Sequence, residues 1–570
     1  MKNYLLFLIL FLVACSPVVR KEVPLPLSFS DVVIEGDLAE RIKRNFDRLE
    51  GPHYRPYEVF RSDSGNEGWP GDQEGRTLLG LVMDARASRR TPLYLDSIML
   101  LYPLKLNAAR YLGPVYRGKA SEQQLSGHGW LLRGLCEYFL WKKDTKALEY
   151  IRWILDSLAL PTTGLHKKYP LDPSLRKITG GMAGTTVDSA GHWYLSSDIG
   201  CNFIFLDGLI QAAELTGRKD LLPLIREMTD QYLKMDVVKI HAQTHATLTG
   251  IRALLRLYAW QKDTLFLHEA RKKFSLYVSE GMTENYENYN WFGRPEWTEP
   301  CAVVDAYMAA VQLWQYTGDV SFLEMAHLIY YNGLCYEQRH TGSFGNSNCS
   351  GAGECRLTAR VDDIYWCCNM RGAEGLASAV RYQAFTLPSA IVFAHFENGK
   401  YIFRFGDDSM VMKETSLYPY SGKVYFEVES SHLAVDPEIR LFAPSWIDQP
   451  VVTVNGNIAG IKLNEGFVCF TYELKEGDVI EYTFKIKSRS LPVQNKHSIH
   501  PYHKYLYGPL LMAYAGKDSL DFYEHVTFEP ITKDLFRVKD RDLFFRPVCH
   551  VMNPLVKNGF SMQVLFRDKE

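Results

Sequence analysis

Trp141-Lys142-Lys143-Asp144-Thr145-Lys146-Ala147-Leu148, Thr216-Gly217-Arg218-Lys219-Asp220-Leu221-Leu222, Trp260-Gln261-Lys262-Asp263-Thr264-Leu265-Phe266-Leu267 and Thr317-Gly318-Asp319-Val320-Ser321-Phe322-Leu323 are four variations on one phrase. Each follows an apolar run at helical spacing and precedes another, as the tight polar turn of an antiparallel helix pair does. Such pairs in series, spread between about residues 75 and 385, build either an open solenoid or a closed toroid. The aspartates are separated by 76, 43 and 56 residues (220 − 144, 263 − 220, 319 − 263), too uneven for a solenoid period. The reading is therefore a mainly helical (α/α) toroid with long loops on one face.

Counting back from each turn places the start of the helix before it. His128 lies 16 residues before Asp144, Asn202 18 before Asp220, His245 18 before Asp263, and Cys301 18 before Asp319. Equivalent starts of inner helices in a toroid converge on one mouth, so these four polar residues are candidates for a common pocket. An exposed ring of loops is the alternative.

After about residue 388 the pattern changes to short alternating runs such as Lys423-Val-Tyr-Phe-Glu-Val-Glu429 and Val451-Val-Thr-Val454. Turn signals bound them at Asn398-Gly399, Asn455-Gly456, Glu465-Gly466 and Glu476-Gly477-Asp478. This predicts a C-terminal β-sandwich over 388–490, with a further β-rich region over 491–570. Ahead of them lie a signal segment over 1–15, a linker over 16–29 and the catalytic barrel over 30–387.

The chain has 570 residues and a formal net charge of −2, from 64 basic and 66 acidic side chains. No Lys/Arg-rich run could follow a phosphate backbone, so nucleic acid and anionic membrane surfaces are excluded as partners. The first residues, Lys2, an apolar run from Tyr4 to Val13, then Ala14 and Cys15, have the layout of a secretory signal and are too short to span a bilayer permanently. Leu12-Val13-Ala14-Cys15 resembles a bacterial lipobox. It implies a cell-envelope protein lipid-anchored at Cys15, with outer-membrane sorting favoured by the absence of an aspartate after it. A plain signal peptide cut nearby is the simpler alternative. Of the eleven cysteines, Cys136, Cys201 and Cys335 lie in apolar helical stretches and read as small buried hydrophobes.

Cys349, Cys355, Cys367 and Cys368 stand apart from these. Neighbouring cysteines seldom pair with each other, because a disulfide across one peptide bond strains the backbone. Both can ligate one soft cation, and zinc takes four ligands from thiolates, imidazoles and carboxylates. Two sets fit the sequence: Cys349, Cys355, Cys367 and Cys368 as a structural site, or Glu299 and Cys301 joining Cys367 and Cys368.

The pairing of Glu299-Pro300-Cys301-Ala302 with Trp366-Cys367-Cys368-Asn369, followed by Tyr507-Gly508-Pro509-Leu510-Leu-Met-Ala-Tyr514, resembles the β-L-arabinofuranosidases of glycoside hydrolase family 127. The resemblance covers most of the mature chain loosely and those three motifs closely. It implies an (α/α)6 barrel followed by β-sandwich domains. It also implies Zn2+ held by Glu299, Cys301, Cys367 and Cys368, with Cys367 as the nucleophile of a retaining exo-glycosidase acting on an oligosaccharide of plant cell-wall glycans. Zinc coordination holds as thiolate a thiol that is otherwise mostly protonated near neutral pH.

A retaining glycosidase also needs an acid/base on the other face of the sugar. In Met282-Thr-Glu284-Asn-Tyr-Glu287-Asn288-Tyr-Asn290 the candidates are Glu284 and Glu287. Aligning Asn288-Tyr-Asn290 with the family's acidic-Tyr-acidic stretch favours Glu284, with a one-residue gap. Glu287, Glu296 and Glu354 read as ordinary charges. His128, in Ser126-Gly-His-Gly-Trp130, matches a sugar-binding histidine of the family. At the second such position this chain has Asn202, and at the third Thr249 or Gly250, with His245 a turn earlier. Gly71-Asp72-Gln73-Glu74 opens the first barrel helix, as pocket groups or as a cap. Trp130, Trp193, Trp291 and Trp297 flank the pocket segments, and none is assigned individually.

Two other functions fit the same pattern. A carboxylate-dependent glycosidase on an (α/α) barrel would not depend on Cys367. A non-catalytic glycan-binding lipoprotein with a structural zinc would bind sugar without turnover.

Overall fold

The computed structural model describes residues 22–63, 68–176, 184, 186–493, 501–550 and 561–568. The signal segment and Cys15 lie outside the described residues. Twelve helices build the toroid: α1 (Gly36–Leu49), α2 (Asp72–Ser88), α3 (Leu95–Leu101), α4 (Glu122–Lys142), α5 (Thr145–Ile154), α6 (Asn202–Thr216), α7 (Leu222–Lys234), α8 (Thr244–Gln261), α9 (Thr264–Glu280), α10 (Pro300–Thr317), α11 (Val320–Ile329) and α12 (Cys368–Arg381). The even-numbered helices form the inner ring. Each packs on the next, and α12 returns to α2, which closes the circle. The odd-numbered helices lie outside, with α1 covering the seam between α12 and α2.

The repeated phrase makes the turns between inner and outer helices. Asp144, Asp263 and Asp319 are N-caps whose carboxylates accept from the backbone N–H of Lys146, Leu265 and Ser321, at 2.9, 3.0 and 3.1 Å. Asp220 departs from the pattern. It sits in a short 3-10 turn and takes two bonds from the Arg218 guanidinium, at 2.8 and 2.7 Å. Inside the ring the helices approach to backbone contact. A Cβ on Gly75 of α2 would lie 2.2 Å from the Leu131 nitrogen of α4, and one on Gly208 of α6 would lie 2.3 Å from the Gly129 oxygen. Side chains at these positions would push the ring apart.

The β-sandwich follows. One sheet runs in the order Leu25–Pro26, Ala384–Leu387, Ala390–Phe393, Glu438–Phe442, Phe467–Phe470, Lys462–Asn464. The facing sheet runs Asn457–Ile458, Ile447–Val454, Val479–Ile486, Lys423–His432, Asp408–Ser416, Gly399–Phe405, Val32–Ile34. Alternation directs Val424, Phe426 and Val428 from one strand, and Tyr401 and Phe403 from another, into the core. Asn455 (φ 52°) and Gly456 (φ 79°) make a two-residue hairpin turn of the kind their residue types predict.

The domain bounds read from sequence shift in one respect. Leu25–Pro26, expected in a linker, and Val32–Ile34, expected in the barrel, are edge strands of the two sandwich sheets. Neither segment carries enough alternation to signal a strand, because an edge needs only a few residues and its partner is more than 350 residues away. A third sheet begins at Ser488–Pro492 and includes Tyr502–Tyr507 and Leu510–Ala513. The Pro509-Leu510 turn anchors it to the helices. Asn332 Nδ2 donates to the Pro509 carbonyl (2.8 Å), and the Leu511 N–H donates to Asn332 Oδ1 (2.7 Å).

Candidate functional site

At one mouth of the ring a cavity of about 330 Å³ is lined by residues at or just before the starts of inner helices. Asp72, Gln73 and Arg76 come from α2, Asp198 and Ile204 from the approach to and first turn of α6, and Gln243 and His245 from the start of α8. Glu299 precedes α10, and Trp366 and Cys367 precede α12. Trp69 also lines it, and Trp366, 51% exposed, stands at the rim. The volume is at the small end of ligand pockets, which run from about 300 to 1,000 Å³.

Three thiols meet on the floor. Cys367 is the N-cap of α12 and Cys368 its first residue, while Glu299 is the N-cap of α10, followed by Pro300 at N1 and then Cys301. The Cys301 and Cys368 sulfurs are 3.4 Å apart, and those of Cys367 and Cys368 3.2 Å apart. Cys301 and Cys368 are buried, and Cys367 is the thiol that lines the cavity. Two helix N-termini aim their positive dipole ends here, which favours thiolate. Hydrogen bonds from Cys301 and Cys368, with the Arg76 guanidinium nearby, pull the Cys367 thiol down to about 6. Burial pushes Cys301 up to about 12. Arg76 Nη1 donates to the Cys301 sulfur at 3.4 Å, and its Nε donates to Asp72 Oδ2 at 2.8 Å.

The donor set suits a soft, four-coordinate cation. In a tetrahedron with bonds of about 2.3 Å the sulfurs would stand about 3.8 Å apart, a few tenths of an ångström wider than here. Among the described residues two groups could hold a metal: Cys301, Cys367 and Cys368, and the overlapping His245, Glu299 and Cys301. Cys301 belongs to both groups, whereas Glu299 is grouped with His245 and Cys301 but not with Cys367 and Cys368. Cys349 and Cys355 join neither group, and the four-cysteine alternative is not assembled.

His245 lines the cavity and is almost wholly buried. Its Nδ1 is 3.3 Å from Glu299 Oε1 and its Nε2 3.3 Å from Asp305 Oδ2, and its ring stacks on Trp130 at 5.5 Å. Burial alone would lower its pKa, but the Glu299 and Asp305 carboxylates raise it to about 9. It thus ties Glu299 to a buried charge network on the ring axis. There Arg371 pairs with Asp305 (2.8 Å) and Glu374, Arg252 with Asp305, Arg133 with Asp207 and Glu374, and Arg256 with Asp207 (2.9 Å).

The other expected sugar-binding residues lie elsewhere. His128 is fully buried, with Nδ1 bonded to the Gln124 carbonyl (2.8 Å) and Nε2 accepting from the Leu112 N–H (3.2 Å). Both ring nitrogens are engaged by backbone, and burial lowers its pKa to about 4. Asn202 is the first residue of α6 and is fully buried, its amide making no hydrogen bond. Neither lines the cavity, because His128 sits in the second turn of its helix and Asn202 points into the packing between helices. Glu284 is also outside the cavity lining. Its Oε2 is 2.8 Å from Lys504 Nζ, which also donates to the Glu284 carbonyl, so the third sheet holds it. Glu287 is buried, bonded by Asn285 and by Thr298 Oγ1 (2.8 Å), and is not an ordinary surface charge.

Asp198, Gln243 and Arg76 are cavity residues that the sequence reading missed. Gln243 stands two residues before His245, as Glu299 stands two before Cys301, and Asp198 stands four before Asn202. Extending the helix starts backwards by one turn would have found Gln243 and Asp198, whereas Arg76 lies one turn inside α2. Asp198 is buried, with Oδ1 free of hydrogen bonds. Burial first and the Glu299 carboxylate second push its carboxyl up to about 8.

Residues 391–486, the greater part of the sandwich, match the family model "Beta-L-arabinofuranosidase, GH127 middle domain". Among solved structures, a GH127 β-arabinofuranosidase aligns with a TM-score of 0.72 at 15% identity, covering 96% of this chain and 98% of its own. A structure described as a glycoside hydrolase aligns at 0.73 and 13% identity, covering 97% and 100%. A GH127 β-L-arabinofuranosidase from Geobacillus stearothermophilus T6 aligns at 0.70 and 14%, covering 95% and 100%. At these identities the likeness is one of fold, and it runs through toroid, sandwich and third sheet together. No curated protein sequence matches the chain.

Proposed function

We propose that this chain is a retaining exo-glycoside hydrolase of the β-L-arabinofuranosidase type, acting on plant-type glycans with Cys367 as its nucleophile. The observation that carries the reading is the position of the Cys367 sulfur. It faces a cavity of about 330 Å³ from the N-terminus of α12, with two further thiols and the Glu299 carboxylate gathered behind it. A cavity closed below by the starts of α10 and α12 suits a terminal sugar rather than the interior of a chain. The likeness to GH127 structures along the whole chain supports the same reaction class.

Glu299, Cys301, Cys367 and Cys368 would hold a zinc ion, which when bound keeps sulfur as thiolate and stabilises the charge it regains on leaving. The chain's own groups do the rest. Cys367 presents its lone pair to the anomeric carbon from the cavity floor. The Gln73 and Gln243 amides and the Arg76 guanidinium offer donors to sugar hydroxyls, and Trp69 and Trp366 offer ring faces to sugar C–H groups. His245 orients Glu299 through the 3.3 Å contact.

The test is turnover of aryl β-L-arabinofuranosides and pectic oligosaccharides by wild type and Cys367→Ala, with metal analysis alongside. The expected results are about one zinc per chain and a fall in kcat of about 10³-fold or more in the variant. Equal turnover by both proteins would exclude a thiolate mechanism, and sugar binding without turnover in the wild type would favour a binding lipoprotein. We also propose a lipid tether at Cys15 in the cell envelope, on the Leu12-Val13-Ala14-Cys15 signal. An N-terminal peptide mass without a diacylglyceryl group would refute it.

A further inference from the structure

Among the described residues three carboxyl groups line the cavity, and they are unequal. Asp72 is paired with Arg76 at 2.8 Å. Glu299 is 3.3 Å from His245 and stands beside Cys301. Asp198 has no ion pair among the described residues, and its buried Oδ1 takes no hydrogen bond. Its backbone, by contrast, is fixed. The Asp198 N–H donates to Ser196 Oγ (3.1 Å), the Cys201 N–H donates to the Asp198 carbonyl (3.1 Å), and Ser196 is held through its own N–H by Glu122 Oε2.

The order of the inner ring supplies the second observation. The ring runs α2, α4, α6, α8, α10, α12, so α6 and α12 are opposite members of six. Asp198 on the approach to α6 and Cys367 at the start of α12 therefore reach one cavity from opposite members of the ring. A retaining glycosidase requires that disposition of nucleophile and proton donor. Glu284, Glu287 and Glu296, the acids that precede Glu299, do not line that cavity.

We propose that Asp198 is the acid/base catalyst of this site, an inference that rests on the glycosidase reading above. In the first step the Cys367 sulfur forms a bond to the anomeric carbon with its lone pair. The bond from that carbon to the leaving oxygen breaks, and the oxygen keeps the electron pair and takes the proton of the Asp198 carboxyl. In the second step the Asp198 carboxylate takes a proton from water as the water oxygen bonds to the anomeric carbon, and the carbon–sulfur pair returns to Cys367. The sum is glycoside plus water giving free sugar plus alcohol, with Asp198 protonated again. Burial favours the neutral form that the first step needs.

The experiment compares wild type, Asp198→Asn, Glu284→Gln and Cys367→Ala on aryl β-L-arabinofuranosides whose phenols range from 2,4-dinitrophenol to 4-methoxyphenol, with and without azide. Asp198→Asn is expected to lose about 10²–10⁴-fold in kcat/KM on the poorest leaving group and much less on dinitrophenol, which needs no proton. Azide should then accelerate its turnover and give the glycosyl azide of retained configuration. Glu284→Gln should keep the wild-type dependence on the leaving group. A loss in Asp198→Asn that is equal for every phenol and unmoved by azide overturns the proposal, as does the leaving-group signature appearing in Glu284→Gln. Activity in Cys367→Ala, or none in the wild type on any phenol, overturns the underlying reading instead. Should Asp198→Asn melt early, Asp198→Glu carries the test: it keeps a carboxyl, so its rate should fall with an unchanged leaving-group slope, and a steepened slope counts against the assignment.

Discussion

The toroid and the sandwich are both closed around buried side chains, one around charge and the other around hydrocarbon. On the ring axis Arg133, Arg252 and Arg371 meet Asp207, Asp305 and Glu374, all buried, with the Arg371 guanidinium 4.2 Å from the centre of the Trp130 ring. Between the two sheets the corresponding space holds Phe393, Phe403, Phe426, Val428 and Ile480. A hydrocarbon core stabilises in proportion to the area it hides. A buried charge network gains little net stability over an apolar filling but is costly to break. The difference teaches what each part is for: the sandwich supplies bulk stability, and the axial charges set the positions of groups such as His245 and Glu299 that the cavity uses.

The sharpest way to break this contrast is Arg371→Leu, which leaves Asp305 and Glu374 with one cation fewer. It should cost about 3–5 kcal/mol, read as a lower midpoint in denaturant, with a loss of activity in whatever still folds. A cost under about 1 kcal/mol would mean that the network is only filler.

Acid should separate the two regions next. His128 and His327 are held near 4 and His166 near 3 by burial, three in the helical part of the chain, against one strongly lowered histidine among the described residues of the sandwich, His395, which packs on His327 at 4.5 Å. Their folded values lie below the unfolded one of about 6.5. The stability each contributes is therefore complete above that pH and lost as pH falls towards the folded values. Between pH 7 and pH 5 each should withdraw about 1–2 kcal/mol, so helical signal should melt earlier at pH 5 while the strands persist. Loss of both together would show the two regions to be one cooperative unit.

The smallest effect concerns the sandwich alone. Gly456 has φ 79° and open space around it, so Gly456→Ala meets only backbone strain, about 1–2 kcal/mol. Its melting point should drop by a few degrees with activity intact, whereas any loss of turnover would tie the hairpin to the cavity.

Local chemistry accounts for what could be read without coordinates. Asp144, Asp263 and Asp319 cap helices because a short carboxylate reaches N–H groups two residues ahead, and Asn455-Gly456 turns because those residues tolerate positive φ. Glu299, Cys301, Cys367 and Cys368 were legible as one of two candidate ligand sets because metal-ligand chemistry narrows the residue types, and the folded chain brings Cys301 within 3.4 Å of Cys368.

Position in the cavity was another matter. His128 and Asn202 stand near the right helix starts in sequence, yet one is saturated by backbone and the other is buried with its amide making no hydrogen bond. Glu284 was drawn off by Lys504, 220 residues later, and Asp198 was left facing the cavity. By itself the sequence determined the helix-pair repeat, the change to strands and the singling out of Cys301, Cys367 and Cys368 as candidate ligands, because each is written in neighbouring residues or restricted chemistry. The tertiary structure alone decided the axial charge network and which carboxyl groups line the cavity with Cys367, because those depend on the meeting of groups far apart along the chain.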